Sequence, residues 1–202
     1  MIAIVDYGMG NLKNVQTALE NIGVESIITS KESDIDESDA VLLPGVGAFR
    51  DSIKCLNESG LVPCIRRNVD KGKILIGICL GMQLLFDKSY EDGEWEGLGF
   101  LKGDVVRFDI DFKVPHMGWN NIIVKRDDPI GRGVETGEFV YFVHSYYAVP
   151  KDPDDVVFSS EYGVEFPAIV RRGNVIGAQF HPEKSGETGY KILKNLKEMI
   201  EA

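Results

Sequence analysis

The run Lys73-Ile74-Leu75-Ile76-Gly77-Ile78-Cys79-Leu80-Gly81-Met82-Gln83-Leu84-Leu85-Phe86 constrains the fold more than any other part of the chain. Its first half is apolar and β-branched without polar alternation, the pattern of a strand covered on both faces. After Cys79, Leu80, Leu84 and Leu85 recur at helical spacing, which predicts a helix over 80–87. The junction reads Gly77-x-Cys79-x-Gly81, the thiol counterpart of the strained G-x-S-x-G turn that holds a nucleophile above a sheet. Small flanking residues let strand and helix approach closely. A helix N-terminus favours thiolate over thiol. The backbone N–H of Leu80 would point where an oxyanion forms. By itself the turn leaves a buried packing cysteine as an equal alternative.

The rest of the first half alternates strand and helix. Residues 2–6 read as a strand, and Leu12, Val15, Leu19 and Ile22 form a helical stripe opened by Asn11 as N-cap and closed by Gly23. Short apolar runs at 24–28 and 39–43 precede helical patterns near 48–57 and 61–71. This alternation means a parallel sheet with helices on both faces. The second half reads as strands near 98–107, 120–125, 139–149, 156–160, 166–171 and 174–180. A helix then follows from Glu187 to Ala202, with Ile192, Leu193, Leu196, Met199 and Ile200 on one face. The expected architecture is a single α/β domain over 1–202. It has three layers: a mostly parallel central sheet between helices, with a small additional antiparallel sheet.

A net charge of −10 argues against nucleic acid as a partner, because phosphate binding needs a basic face. No apolar run approaches the ~20 residues of a membrane span, and the N-terminus reads as a strand, without the basic start of a signal peptide. Three cysteines without a CxxC pair suit a reducing cytoplasm. Cys55 and Cys64 fall in amphipathic helices and read as packing residues.

In open parallel sheets, sites form at the C-terminal ends of strands. The loops at 44–49, 79–83 and 181–185 take that position. His181-Pro182-Glu183 ends a strand with His-x-Glu. A cysteine nucleophile needs a base, and the base needs a third group to fix its orientation. Pro182 disfavours helix at His181 and predicts an extended stretch from which Glu183 reaches the imidazole. Metal binding is a weak reading of Cys79, His181 and Glu183, which lack a close pair of soft ligands. In Pro44-Gly45-Val46-Gly47, two glycines free the Val46 peptide to offer a second oxyanion donor beside that of Leu80. Asp6-Tyr7-Gly8-Met9-Gly10-Asn11 lacks the third glycine of a dinucleotide loop and reads as a capped turn or a partner-facing loop. His116 and His144 have no carboxylate nearby in sequence, which suits supporting roles. Trp119 and Met117 are equally readable as core or as a partner-facing surface.

Together, Gly77-Ile78-Cys79-Leu80-Gly81-Met82-Gln83, the Pro-Gly-Val-Gly strand end and Phe180-His181-Pro182-Glu183-Lys184-Ser185 resemble the class I, triad-type glutamine amidotransferases. The resemblance covers essentially the whole chain. It implies a Cys79–His181–Glu183 triad that hydrolyses the side-chain amide of glutamine, with Val46 and Leu80 as oxyanion donors. Asp6 to Asn11, Pro115 to Asn120, Tyr141 to Tyr146 and Met82 narrow the resemblance to the branch serving imidazole glycerol phosphate synthase in histidine biosynthesis. Relatives serving anthranilate, carbamoyl phosphate and GMP synthesis usually carry histidine where Met82 stands.

By the same resemblance Gly47, Gln83, Glu91, Ser145 and Tyr146 contact bound glutamine. Asn11, Trp119, Asn120 and Lys184 lie toward the synthase partner. The implied partner is a (β/α)8-barrel cyclase in a heterodimer, receiving ammonia through an internal channel, with no cofactor and no metal in this chain. Low glutaminase activity before the partner binds, with the Val46 peptide as switch, is also implied. Three readings stay open beside it. One is the glutaminase of another ammonia-channelling synthase, such as pyridoxal phosphate synthase. Another is a stand-alone γ-glutamyl thiol hydrolase, and the third is a non-catalytic binding subunit.

Overall fold

In the computed structural model, which describes residues 1–202, the apolar runs expected as strands split residue by residue between two cores. Ile2, Ile4, Ala40, Leu42, Ile76 and Ile78 face one of them, and Ala3, Val5, Val41, Leu43 and Leu75 face the other. Successive strand residues point to opposite faces, so a run apolar at every position has to be covered on both sides. Each large side chain buried this way contributes about 1.5–3 kcal/mol.

The first half contains β1 (Ile2–Val5), α1 (Leu12–Asn21), β2 (Ser26–Thr29), α2 (Glu32–Glu37), β3 (Ala40–Leu43), α3 (Phe49–Glu58), α4 (Val62–Asp70), β4 (Ile74–Ile78) and α5 (Leu80–Leu84). Next come the short strands β5 (Lys88–Ser89), β6 (Trp95–Glu96), β7 (Gly103–Arg107), β8 (His116–Asn121) and β9 (Ile123–Val124). The chain closes with β10 (Phe139–His144), β11 (Tyr146–Pro150), β12 (Val156–Glu161), β13 (Glu165–Arg172), β14 (Val175–Ala178) and α6 (Gly186–Glu201).

The central sheet has eight strands in the order β2-β1-β3-β4-β14-β13-β12-β9. Its first five strands are parallel, and β13, β12 and β9 extend it antiparallel. Val15 and Leu19 of α1 and Ile192, Leu193 and Leu196 of α6 cover one face. Ile35 of α2, Phe49, Ile53 and Leu56 of α3 and Cys64, Ile65 and Val69 of α4 cover the other. This is the expected three-layer arrangement.

Several local expectations are corrected. The additional sheet is two sheets, an antiparallel pair β10-β8 and a four-stranded β11-β7-β5-β6 that includes one parallel pairing, β5 with β7. The strand expected at 139–149 breaks at Ser145, so that β10 and β11 join different sheets. The helix expected over 80–87 stops at Leu84. Its last carbonyls are taken by the backbone N–H groups of Leu98 (to Leu84, 2.8 Å), Leu101 (to Leu85, 2.9 Å) and Gly99 (to Phe86, 3.0 Å), which is also why β7 begins only at Gly103. Helix α2 escapes the sequence pattern because its six residues carry one buried apolar side chain, Ile35. Asn11 occupies the N-cap position of α1 but makes no side-chain capping bond. Gly23 does close that helix, at φ +72° with its N–H on Glu20 O at 2.9 Å.

Candidate active site

Sheet order brings the three loops together. β3, β4 and β14 are neighbours and run parallel, so the Pro44-Gly45-Val46-Gly47 loop, Cys79 and His181 emerge side by side at one edge. The Cys79 N–H donates to Ala178 O at 2.7 Å, tying the end of β4 to the end of β14. Cys79 itself has φ 55° and ψ −113°. Such a conformation costs a non-glycine residue about 1–3 kcal/mol and persists where surrounding packing enforces it.

The glycines supply that packing. A Cβ on Gly81 would lie 1.9 Å from Leu43 O, and one on Gly45 would lie 2.5 Å from Gly81 N. Gly45 is therefore needed for close approach, whereas Gly47, at φ +91°, is the residue that needs glycine's conformational freedom. The helix after Cys79 has only five residues, so its dipole is short.

His181 is extended as expected, with φ −97° and ψ 97°. Its N–H donates to Tyr141 O at 3.0 Å, and Ser185 Oγ donates to its carbonyl at 2.6 Å while accepting the Tyr141 N–H at 3.0 Å. These bonds dock the loop on β10. Glu183 does not continue the extended stretch: Pro182–Lys184 form a 3-10 turn, and this turn folds the carboxylate back onto the ring. His181 Nδ1 and Glu183 Oε1 are 2.8 Å apart, with side chains only 4% and 2% exposed. Nε2 is thus the nitrogen left for Cys79. Burial works against the imidazolium, but hydrogen bonding and charge from Cys79 and then Glu183 outweigh it, raising the His181 pKa to about 9. The second Glu183 oxygen, Oε2, is buried without a hydrogen-bond partner, so the imidazolium is what compensates this carboxylate.

Neither the Val46 nor the Leu80 N–H donates to a protein acceptor, which keeps both available to an oxyanion. The loop carrying Val46 is anchored on two sides. Tyr7 OH donates to Pro44 O at 2.7 Å, and burial raises the Tyr7 pKa, so the hydroxyl keeps its proton. On the other side Glu91 Oε2 accepts the Phe49 N–H at 2.7 Å, and burial raises that carboxyl's pKa as well. The Tyr7 anchor was not legible in the sequence, where 6–11 reads as a capped turn or a partner-facing loop.

A cleft of about 290 Å³ opens above these groups. Val46, Gly47, Cys79, Leu80 and His181 line it, together with Gln83, Glu91, Ser145 and Tyr146. Glu183 stands behind His181. The sequence reading missed Pro115, Val143 and His144 as further walls. It also missed Gln179, fully buried, whose Nε2 lies 4.0 Å from Cys79 Sγ. Gln83 Nε2 donates to Tyr146 O at 2.9 Å and to Gln179 Oε1 at 3.0 Å. No cluster of three or more His, Cys, Asp or Glu side chains has the arrangement of a metal site.

Of the residues expected toward a partner, Trp119 is 56% exposed and packs edge-on against Tyr141, over whose ring the Lys184 amine sits at 6.0 Å. Asn11 is exposed on the loop beside Pro44. Asn120 is half-buried beside Trp119, and its amide contacts Glu161 O at 2.8 Å and lies 3.3 Å from His116 Nε2.

Comparison with known proteins agrees with this geometry. The family described as glutamine amidotransferase class-I matches residues 3–199. The imidazole glycerol phosphate synthase subunit HisH of Caldanaerobacter subterraneus subsp. tengcongensis is 51% identical over 200 residues, covering 99% of this chain and 98% of that protein. The subunit of the same name from Aquifex aeolicus is 48% identical over 199 residues, covering 98% and 96%. In fold, the chain is similar to PurLQS from Thermotoga maritima, with a TM-score of 0.79 at 24% identity and 98% of each chain covered. With a strained cysteine, a histidine and a glutamate assembled where three parallel strands end, and with matches of this length, the chain belongs to the class I glutamine amidotransferases.

Proposed function

We propose that the chain is the glutaminase subunit of imidazole glycerol phosphate synthase in histidine biosynthesis. In this reading it works as one domain over 1–202, in the cytoplasm, with a cyclase subunit of (β/α)8-barrel fold as partner in a heterodimer. The single observation that carries the chemistry is Cys79, held at φ 55° above the sheet beside the buried His181–Glu183 pair. Relatives about 50% identical along nearly the whole chain support the pathway.

The mechanism follows from the residue types. The Cys79 thiolate attacks the side-chain carboxamide carbon of glutamine, and the Val46 and Leu80 N–H groups hold the oxyanion. The His181 cation gives its proton to the nitrogen as the C–N bond breaks, releasing ammonia and leaving a γ-glutamyl thioester. His181, now neutral, takes a proton from water, whose oxygen attacks the thioester. Glutamate leaves and the thiolate–imidazolium pair is restored. Glu183 fixes the Nδ1–H tautomer and stabilises the cation. Loss of one oxyanion donor costs on the order of 10²–10³ in turnover, so reorienting the Val46 peptide suffices to switch the site. Gly47, Gln83, Glu91, Ser145 and Tyr146 hold the glutamine. Asn11, Trp119, Asn120 and Lys184 face the cyclase. Ammonia set free in water would be protonated and lost as a nucleophile, so it passes directly to the partner.

The test is glutamate release from glutamine by the purified chain, with and without the cyclase subunit and its nucleotide substrate. Strong stimulation by the loaded cyclase, abolished in Cys79→Ala, is the expected result. Rapid hydrolysis alone, indifferent to the cyclase, would leave the triad standing and remove the pathway assignment.

A further inference from the structure

Two of the chain's three histidines take no part in that mechanism, yet they are buried against each other beside the cleft. His116 Nδ1 and His144 Nε2 are 3.1 Å apart, and His144 Nδ1 lies 2.9 Å from Tyr146 O. At the far end Asn120 Nδ2 is 3.3 Å from His116 Nε2 and donates to Glu161 O at 2.8 Å. These contacts allow one proton assignment for neutral rings. A carbonyl only accepts, so His144 Nδ1 carries its proton and Nε2 accepts. The nitrogen facing it, His116 Nδ1, is then a donor, and His116 Nε2 accepts from the Asn120 amide. Reversing either ring would set lone pair against lone pair or proton against proton along the whole row.

The surroundings keep both rings neutral. His116 is stacked between Tyr162 (centroids 4.1 Å) and Phe142 (5.0 Å), and Phe166 packs on both histidines at 5.6 and 5.0 Å. No carboxylate forms an ion pair with either ring. The row ends on the peptide the glutamine site depends on. Ser145 is where the chain leaves β10 for β11, and the Tyr146 carbonyl beyond it also receives the Gln83 amide at 2.9 Å.

We infer that His144, locked in its Nδ1–H tautomer by His116 and Asn120, is a positioning residue for the glutamine site, fixing the Tyr146 carbonyl and through it Gln83 and the Ser145–Tyr146 edge. His144 exchanges no proton with substrate. Its effect falls on how well glutamine is held, and it rests on the proposed role of Gln83, Ser145 and Tyr146 as glutamine contacts.

The test is steady-state glutaminase kinetics of the full chain with saturating loaded cyclase, comparing His144→Asn, His144→Gln and His144→Leu. The asparagine amide reaches the Nδ1 position and keeps the bond to Tyr146 O. The glutamine amide reaches the Nε2 position and keeps only the bond to His116. His144→Gln and His144→Leu are expected to raise KM for glutamine about 10-fold with a smaller fall in kcat, as for one lost buried hydrogen bond. His144→Asn is expected to stay within about 3-fold of the parent. A His144→Gln variant with the parent's KM, or a His144→Asn variant no better than His144→Leu, would overturn the inference.

Nitrogen-15 shifts of the imidazoles provide a reading independent of activity and of how well any variant folds. The parent protein should show His144 and His116 both protonated at Nδ1. Finding the Nε2–H tautomer in the parent sinks the proposal even if the glutaminase assay succeeds. Absence of glutaminase activity with this tautomer present would instead fault the functional reading.

Discussion

His181 and the His116–His144 pair are the same side chain built into two opposite electrostatic settings about one cleft. His181 has a carboxylate at 2.8 Å and a thiol beside it, and they lift its pKa to about 9 despite burial. The other two lie among aromatic rings, and burial alone carries His116 down to about 4, while for His144 burial, joined by the neighbouring histidines, carries it down to about 3. One setting makes a cation that can deliver a proton. The other makes two neutral rings whose only property is direction, each donating at one nitrogen and accepting at the other. The difference teaches that burial depth does not decide a histidine's job. All three are less than a tenth exposed, and the partner at hydrogen-bond distance makes the distinction.

The sharpest way to break this contrast is to replace one histidine from each setting by asparagine. His181→Asn is expected to lower kcat by about 10⁴-fold or more, as for loss of a triad base, while His144→Asn keeps kcat near that of the parent. Comparable losses from the two would erase the distinction. Glu183→Gln comes next: turnover should fall by about 10³–10⁴, and an NMR titration should find the His181 pKa moved down from about 9 toward 6.5. An unmoved pKa would mean that Glu183 does not help to charge the ring.

Phe166→Ala tests the aromatic setting. It should cost about 3–5 kcal/mol in denaturant unfolding, and by admitting water it should raise the His144 pKa from about 3. A smaller effect is expected in the pH dependence of stability, with opposite signs for the two settings. The His181 pKa is raised on folding, so its contribution is full below pH 6.5 and is lost as pH rises through about 9. The pKa values of His116 and His144 are depressed on folding. Their contribution is full above pH 6.5 and is lost as pH falls toward about 4 and then about 3. Urea midpoints against pH should therefore lose part of their alkaline limb in His181→Asn and part of their acid limb in His144→Asn. Limbs that respond the other way round would reverse the assignment of charge. Smallest of all, Trp119→Ala on the exposed face should change stability by about 0.5 kcal/mol or less, while weakening cyclase binding in a titration.

The cysteine elbow was legible because its causes are local. An uninterrupted apolar strand, two glycines and a helical leucine stripe all lie within fourteen residues of chain, and the structure realises the strand and the turn and shortens the helix to Leu80–Leu84. His181-Pro182-Glu183 was legible as residue types in sequence, although its geometry was not. The sequence argued for an extended stretch, and a 3-10 turn is what returns Glu183 to the ring. The break at Ser145 was hidden because His144-Ser145 is only a two-residue polar interruption in an otherwise apolar and aromatic run over 139–149. Only pairing with β8 on one side and β7 on the other divides it.

Residues read along the chain were enough to establish a layered α/β protein with a cysteine, a histidine and a glutamate at strand ends. Those conclusions rest on periodicity, turn chemistry and residue type, which neighbours along the chain define. The tertiary structure alone decided that β4 lies between β3 and β14, which sets Cys79 beside His181 and Val46. It alone decided that Tyr7 anchors Pro44, that Gln179 is directed at Cys79, and that His116 meets His144. These are hydrogen bonds and strand pairings between residues distant in sequence, and their free energy exists only once the whole sheet has closed and excluded water.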